Sequence, residues 1–141
     1  KQHCINAENV VNFLKKHNEV TKVIYSTEHD KHIADRAKKY LNGGNGPMVG
    51  IELKGGIEAG KKFIESLKMF YHVANIGDAR SLAIHPASTT HSQLNEKELA
   101  ASGVTQSYVR LCIGIEHIDD IIEDLDQALN KSSKGNLKAV V

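Results

Sequence analysis

The sequence has no tryptophan, only two cysteines and two prolines, and almost no excess of either charge, with 18 basic and 17 acidic residues among 141. Such balanced charge gives no strong field, so we expect neither a nucleic-acid partner nor binding to a membrane surface. No apolar run approaches the roughly 18 residues of a membrane span. Cys4 and Cys112 are far apart and fit neither a disulfide framework nor a metal-ligand spacing, which predicts a reducing compartment, the cytoplasm.

The hydrophobic pattern switches repeatedly between helical and strand periods. It predicts helices over residues 5–16, 29–41, 58–67, 95–103 and 117–130, and strands over 20–25, 48–53, 71–76, 81–85 and 107–116. The pieces are short and include hairpin-like pairs, which favours an α+β fold with a mostly antiparallel sheet and helices on one face over a doubly wound one. We expect one domain over residues 1–141, with a frayed tail over 131–141. Because the first residue is Lys1 and not Met, we expect a fragment.

Two details of the helices are part of this prediction. In the helix over 29–41, an apolar stripe should face inward, made of Ile33, Ala34, Ala37, Tyr40 and Leu41. The outer face of the last helix is nearly all acid or amide, and it includes Asp124. Acidic residues near its start suit the helix dipole.

The stretch over 107–116 contains the most informative charged residue, Arg110. Apolar residues alternate with it, namely Val109, Leu111, Ile113 and Ile115. The alternation puts Arg110 on the opposite face, next to Cys112 and Gly114, which are small enough to leave room beside the guanidinium. Because an unpaired buried guanidinium is very costly, Arg110 must reach solvent, pair with a carboxylate of the protein such as Glu116, or bind an anionic ligand. The residues alone leave the last two alternatives open.

Residues 55–62 nearly match a phosphate-binding loop, with Gly55, Gly60 and Lys61 at the required spacing between a strand and a helix. The match fails at Lys62, where such loops need a hydroxyl for magnesium. We therefore interpret the segment as a tight turn into a helix.

The histidines and cysteines suggest a metal site or a nucleophile, but neither pattern is complete. His29 and His32 share a predicted helix, and His85 and His91 flank a polar loop, yet neither pair has further ligands at zinc spacing. Cys112 has no evident partner that would activate a thiolate. We therefore predict no metal ligand and no catalytic residue in this chain.

Two loops, over 75–81 and 86–91, place many hydrogen-bonding side chains between apolar strands. Such loops can orient a small polar ligand, because their amides and hydroxyls fix direction where apolar walls exclude water. Ordinary turn chemistry explains them equally well.

The same segments carry a family resemblance. NIGDARSLAIHPASTTH (75–91) and YVRLCIGIEHIDDIIEDLDQAL (108–129) occur in this order, with LKGG and KKFIESLKMFYHVANIGDA also in pattern. Together they resemble the C-terminal domain of the Cys/Met-metabolism family of pyridoxal-phosphate (PLP) enzymes. The form ANIGDARSL followed by HPASTTH is most similar to O-acetylhomoserine sulfhydrylases.

The resemblance implies roles for four residues. It makes Arg110 the arginine that binds the α-carboxylate of the amino-acid substrate. Asn75 takes a position where lyase members commonly carry a Ser that contributes to the same pocket, which favours the sulfhydrylase branch. Ser81 and Thr90 lie on motif segments near the active site and receive supporting roles only.

The resemblance also implies a small domain of a fold-type-I PLP enzyme whose Schiff-base lysine, phosphate loop and pyridine-pairing aspartate lie in a larger N-terminal domain. None of their motifs is present here, so the isolated fragment is expected to bind no PLP and to be inactive. The full-length enzyme would be a tetrameric transferase of methionine biosynthesis and trans-sulfuration that converts O-acetylhomoserine and sulfide into homocysteine and acetate. Alternatives are cystathionine γ-synthase, methionine γ-lyase, or a stand-alone amino-acid-binding or oligomerisation module.

Overall fold

A computed structural model describes residues 1–28 and 30–133, which form five helices and five strands. The helices are α1 (Gln2–Leu14), α2 (Lys31–Tyr40), α3 (Gly56–Ser66), α4 (Glu96–Ala101) and α5 (Ile118–Ser133). The strands are β1 (Val20–Ile24), β2 (Met48–Leu53), β3 (Tyr71–His72), β4 (Leu82–Ile84) and β5 (Tyr108–Cys112), and a 3-10 turn spans Pro86–Ser88. Within the described ranges, no helix combines the length and apolarity that crossing a membrane would require.

The strands form a single sheet in the order β1-β2-β5-β4-β3. β5 lies at its centre and pairs antiparallel with both β2 and β4, and β1 pairs antiparallel with β2. Only the pair of β3 with β4 is parallel among these four. The predicted α+β fold with a mostly antiparallel sheet is therefore confirmed.

The main core lies between one face of this sheet and the helices α1, α3 and α5. In the central strands Val49 lies opposite Leu111 and Ile51 opposite Val109, and all four side chains are fully buried. The helices add Ala7, Val10, Leu14, Phe63, Ile64, Ile121, Leu125 and Leu129. Each large side chain buried in this way contributes about 1.5–3 kcal/mol to folding. These three helices thus pack on one face of the sheet.

Asp124 corrects the prediction for the last helix. It was expected on the polar outer face, but it is only 6% exposed. Its carboxylate accepts hydrogen bonds from the backbone N–H groups of Lys68 (2.9 Å), Met69 (2.8 Å) and Phe70 (3.3 Å). These charge-assisted bonds compensate for its burial and tie α5 to the segment that follows α3. Helical periodicity cannot reveal this role, because the partners lie more than fifty residues away.

The predicted apolar stripe of α2 is also mostly wrong. Ala37 is buried, but Ile33, Tyr40 and Leu41 are 38%, 65% and 44% exposed. α2 contributes no residue to the main core cluster. Its start is fixed locally, by the Asp30 side chain accepting from the N–H of Ile33.

Several boundaries differ from those predicted. α1 begins at Gln2, and the strand expected over 71–76 contains only two residues. β5 ends at Cys112, so Ile115 lies beyond it and is 51% exposed. α5 continues to Ser133, and Ser132 is buried, so the first residues of the expected frayed tail are helical. The rest of that tail, residues 134–141, and the histidine at 29 lie outside the described residues.

The short helix α4 begins with a capping box. Asn95 accepts from the N–H of Glu98, and the Glu98 carboxylate accepts from the N–H of Asn95. This reciprocal pair satisfies two helix-end donors.

We expect Asp124→Ala to lower the free energy of unfolding by about 2–3 kcal/mol, because three buried backbone donors lose a charged acceptor. Urea denaturation followed by circular dichroism measures the change. Asp120→Ala is the matched control, since Asp120 lies exposed one turn earlier on the same helix. Equal stability of the two variants would contradict the role assigned to Asp124.

Candidate functional site

Arg110 lies in the middle of β5, on the sheet face opposite the main core. Its strand neighbours Val109 and Leu111 are fully buried in that core. Across the sheet Arg110 is in register with Gly50 of β2 and Ile84 of β4. The alternation predicted from the sequence is confirmed over this strand.

The guanidinium of Arg110 contacts a backbone carbonyl and no acid. Its Nη2 donates to the carbonyl oxygen of Asn75 at 3.3 Å. Across residues 1–28 and 30–133, no carboxylate forms an ion pair with it. The suggested salt bridge to Glu116 is therefore wrong, because that carboxylate accepts from Ser81 instead. Among the described residues the guanidinium forms this one hydrogen bond, so most of its N–H donors have no partner there and could bind an anion.

A cavity of about 240 Å³ opens beside Arg110. Its lining includes Tyr25, Ser26, Met48, Gly50 and Tyr108. The tight contact is at Gly50, where a Cβ atom would lie 2.7 Å from Cε2 and 2.9 Å from the hydroxyl oxygen of Tyr108. The Tyr108 ring therefore occupies the space that a side chain at Gly50 would need.

The predicted room beside Arg110 has a different origin from the one expected. Cys112 is only 2% exposed, so it is packed within the protein. At Gly114 a Cβ would collide with the Glu116 carboxylate, with Ala79 O at 2.5 Å and with Ser81 N at 2.5 Å. The cavity is instead lined by residues 48–50 of the neighbouring strand, which periodicity within β5 cannot show.

The two phenols of the cavity are neutral near pH 7, which leaves Arg110 as the charged group among the named lining residues. Burial, with smaller effects of Glu8 and Cys4, raises the pKa of Tyr25 to about 12. Its hydroxyl donates to Gly46 O at 2.8 Å. Burial also raises the pKa of Tyr108, although the positive charge of Arg110 opposes that shift.

Of the predicted site residues, the structure brings Asn75 to Arg110, through the backbone. The Asn75 side chain is turned back locally, with Oδ1 accepting from the N–H of Ile76 at 2.9 Å. The chain is exposed over residues 71–77, which include the start of the loop over 75–81. The Asn75 carbonyl fixes one edge of the Arg110 fork.

The two predicted supporting residues have hydrogen-bond partners other than Arg110. Ser81 is fully buried and contacts Glu116, at the other end of the loop from Asn75. Thr90 is exposed, and its Oγ1 shares a 2.8 Å hydrogen bond with Nδ1 of His91. Neither forms a hydrogen bond with Arg110.

His85, for which a metal-ligand role was considered and not predicted, is a buried structural residue. It is fully buried, and its Nε2 lies 2.8 Å from Gln106 O while Nδ1 lies 2.8 Å from Ser88 Oγ. Because a carbonyl only accepts, Nε2 carries the proton and Nδ1 accepts from the Ser88 hydroxyl. Burial is the main cause that lowers the His85 pKa. Within the described part of the chain, no group of three His, Cys, Asp or Glu residues could hold a metal ion.

The ring of His85 also explains the segment that resembled a phosphate loop. A Cβ at Gly60 would collide with the imidazole, so glycine is required there for packing. α3 begins at Gly56, and Glu58 in its first turn pairs with Lys61 at 2.8 Å. The interpretation as a tight turn into a helix is confirmed.

The family model of the Cys/Met metabolism PLP-dependent enzymes matches residues 1–130. An O-acetyl-L-homoserine sulfhydrylase of Leptospira meyeri is 50% identical over 130 residues, which is 92% of this chain and 29% of that protein. An L-methionine gamma-lyase of Fusobacterium nucleatum subsp. polymorphum is 43% identical over 134 residues, 93% of this chain and 33% of that protein.

A solved structure shows the same fold. It is a Campylobacter jejuni protein assigned as an O-acetylhomoserine (thiol)-lyase, which carries N'-pyridoxyl-lysine-5'-monophosphate. It superimposes with a TM-score of 0.83 at 41% identity, over 92% of this chain and 31% of that one. The chain thus spans about a third of the length of the proteins that it matches.

We expect Gly50→Ala to lower the free energy of unfolding by about 1–3 kcal/mol, because the new methyl group forces the Tyr108 ring aside. Thermal denaturation measures the loss. Gly43→Ala is the matched control, since a Cβ there meets nothing within 4 Å. If both variants unfold at the same temperature, the packing of Tyr108 over Gly50 is not tight.

We expect the buried neutral His85 to make stability depend on pH. Its pKa is lowered in the folded protein, so its contribution is complete above the unfolded value of about 6.5 and is lost as the pH falls through the folded value. Urea unfolding between pH 7.5 and 5 should show a smaller decline for His85→Gln than for the natural sequence. His117→Gln, at an exposed histidine, should keep the full decline. Retention of the full decline by His85→Gln would refute this origin.

Proposed function

Because the chain belongs to the Cys/Met metabolism PLP-dependent enzymes, we propose that it forms the small C-terminal domain of such an enzyme and holds the α-carboxylate of its amino-acid substrate. One observation carries the proposal. Arg110 lies on the open sheet face beside a cavity, and its hydrogen bond is to a carbonyl and not to a carboxylate.

The chemistry of Arg110 suits a carboxylate. A guanidinium presents parallel N–H donors that match the two oxygens of a carboxylate, which fixes direction as well as adding charge attraction. With Nη2 held by Asn75 O, the fork has a defined orientation before a ligand arrives. Arg110 keeps its proton throughout, so its contribution is to position the substrate and not to transfer a proton.

The described residues of this chain do not fit PLP. Every lysine that the structure describes is exposed or partly exposed at the surface. The N-terminus of α3, which resembled a phosphate site, carries Glu58, and its Gly60 packs against His85. In our proposal the rest of the enzyme holds the cofactor, which supplies an electron sink when bound. This chain contributes the substrate-binding arginine.

The proposed reaction is γ-replacement, in which sulfide displaces acetate from O-acetylhomoserine to give homocysteine. The name and 50% identity of the Leptospira relative support this choice, as does the sulfhydrylase-like motif around Asn75. The second candidate is methionine γ-elimination, which the 43% identical lyase favours. We further propose a tetramer in the cytoplasm, where the free thiols of Cys4 and Cys112 would remain reduced.

In the full-length enzyme we expect Arg110→Ala to raise KM for O-acetylhomoserine about 100-fold, because the substrate carboxylate loses its paired charge. The absorption spectrum of the bound cofactor should not change. The KM of Arg110→Lys should lie between those of the natural enzyme and Arg110→Ala, since lysine keeps the positive charge but lacks the paired N–H donors of the guanidinium. Steady-state kinetics of homocysteine formation measures these effects.

Arg36→Ala is the control, because Arg36 is an exposed arginine on α2. A normal KM for Arg110→Ala would refute the proposed role. Faster turnover of methionine than of O-acetylhomoserine with sulfide would keep that role but assign the enzyme to the lyase reaction. Binding of an amino acid by the isolated chain would instead support a stand-alone module.

A further inference from the structure

The carboxylate of Glu116 holds the loop over 75–81 from behind. Glu116 lies just beyond β5, four residues after Cys112. One oxygen, Oε1, accepts from the backbone N–H of Ser81 at 2.7 Å, and the other, Oε2, accepts from the Ser81 hydroxyl at 2.9 Å. A two-point, charge-assisted contact of this kind fixes orientation as well as distance.

Ser81 also bonds to the segment that follows β5. Its hydroxyl oxygen accepts from the N–H of Gly114 at 2.9 Å while its proton goes to Glu116. Ser81 is fully buried, so water does not compete for these bonds. Only glycine fits at 114, because a Cβ there would collide with the Glu116 carboxylate. The N–H of Ile115 also donates to Ala79 O at 2.9 Å, a second link between loop and strand.

Helix α1 holds the same segment from its other side. The buried side chain of Asn6 donates to Gly114 O at 3.1 Å and to Glu116 O at 2.9 Å. His3 Nδ1 lies 2.7 Å from Ile113 O and therefore donates to it. The backbone that carries Glu116 is thus anchored before its side chain reaches Ser81.

The loop that Glu116 holds is the one that contacts Arg110. It begins at Asn75, whose carbonyl accepts from Arg110, and ends at Ser81, whose N–H and hydroxyl donate to Glu116. The residues between them are mostly exposed. Besides the Glu116 anchor, Ala79 O accepts from Ile115 N–H and the Arg80 guanidinium lies 4.7 Å from the centre of the Tyr71 ring. Loss of the anchor at Ser81 would therefore loosen one end of the loop and, with it, the position of the carbonyl that contacts the guanidinium.

We propose that Glu116 is a positioning residue for the carboxylate site and acts on Arg110 through Ser81 and the loop over 75–81. This inference rests on the proposed function of Arg110 and adds the residue that holds its partner loop in place. It also assigns Ser81 a definite role as the link between Glu116 and the loop.

The test uses the full-length enzyme with its cofactor bound. Glu116→Gln keeps the size of the side chain but removes its charge, so the contact with Ser81 loses its charge assistance and the Ser81 hydroxyl proton loses its carboxylate acceptor. We expect KM for O-acetylhomoserine to rise about tenfold, as the loss of one charge-assisted bond predicts, with kcat changed less than about twofold. Amide hydrogen exchange in a peptide covering 75–81 should accelerate by about the same factor.

Asp119→Asn is the matched control. It removes the same charge three residues later, from a side chain that is 83% exposed. It should change neither KM nor exchange in the loop. Ser81→Ala keeps the Ser81 N–H but removes the hydroxyl, and we expect about a threefold rise in KM. In the double variant the two effects should not add, because both residues act through one contact.

A merely structural role gives a different result. If Glu116→Gln lowers the melting temperature but leaves KM and loop exchange unchanged, the inference is overturned. If Glu116→Gln does not fold, an unchanged KM in Ser81→Ala overturns it equally. A raised KM in Arg110→Ala together with a normal KM in Glu116→Gln removes only this inference. A normal KM in Arg110→Ala removes the proposed function and this inference with it.

Discussion

The antiparallel pairing of β5 with its two neighbours is the constraint on which the rest of the structure depends. It places Val109 and Leu111 in the core, and the two-residue period of a strand then forces Arg110 onto the other face. Because β5 is central, Arg110 has a strand on each side, with Gly50 of β2 and Ile84 of β4 as its register partners. A slip of one residue would bury the guanidinium among the apolar side chains of the core, where an unpaired charge is very costly. The register that forms the core therefore also presents the candidate site.

Buried polar side chains connect helices, strands and loops that hydrophobic packing alone would not hold in one arrangement. Asp124 ties α5 to the segment after α3, His85 joins the end of β4 to Gln106, and Asn6 fixes the exit of β5. Each accepts or donates at least two hydrogen bonds, which compensates for the loss of water around it. Apolar contacts could bring these elements together but would tolerate small shifts. The directional hydrogen bonds favour one arrangement of these elements. They thereby also fix the ends of the loops near Arg110.

Much of this could be predicted from local pattern. The alternation in β5, the stripe of α5 and the capping box of α4 are properties of adjacent residues, and all three appear in the structure. What failed depends on distant partners. The burial of Asp124 depends on donors from 68 to 70, and the cavity beside Arg110 is lined by residues 48 to 50, about sixty residues earlier. The exposure of α2 depends on which surfaces the core has already covered. Such facts follow from the assembled fold and have no local signature.

The choice of partner for Arg110 decides how readily the site can accept a ligand. If Glu116 were paired with Arg110, a ligand carboxylate would have to displace the Glu116 carboxylate. The net gain in binding free energy would then be small, because one ion pair would replace another. The fold avoids this competition by directing Glu116 to Ser81 and giving Arg110 a neutral carbonyl from Asn75. A carbonyl dipole orients the guanidinium without neutralising it. In the proposed role, Arg110 would thus meet a ligand with its charge not paired to Glu116 and its direction already set, which is the combination that tight and oriented binding of a carboxylate requires.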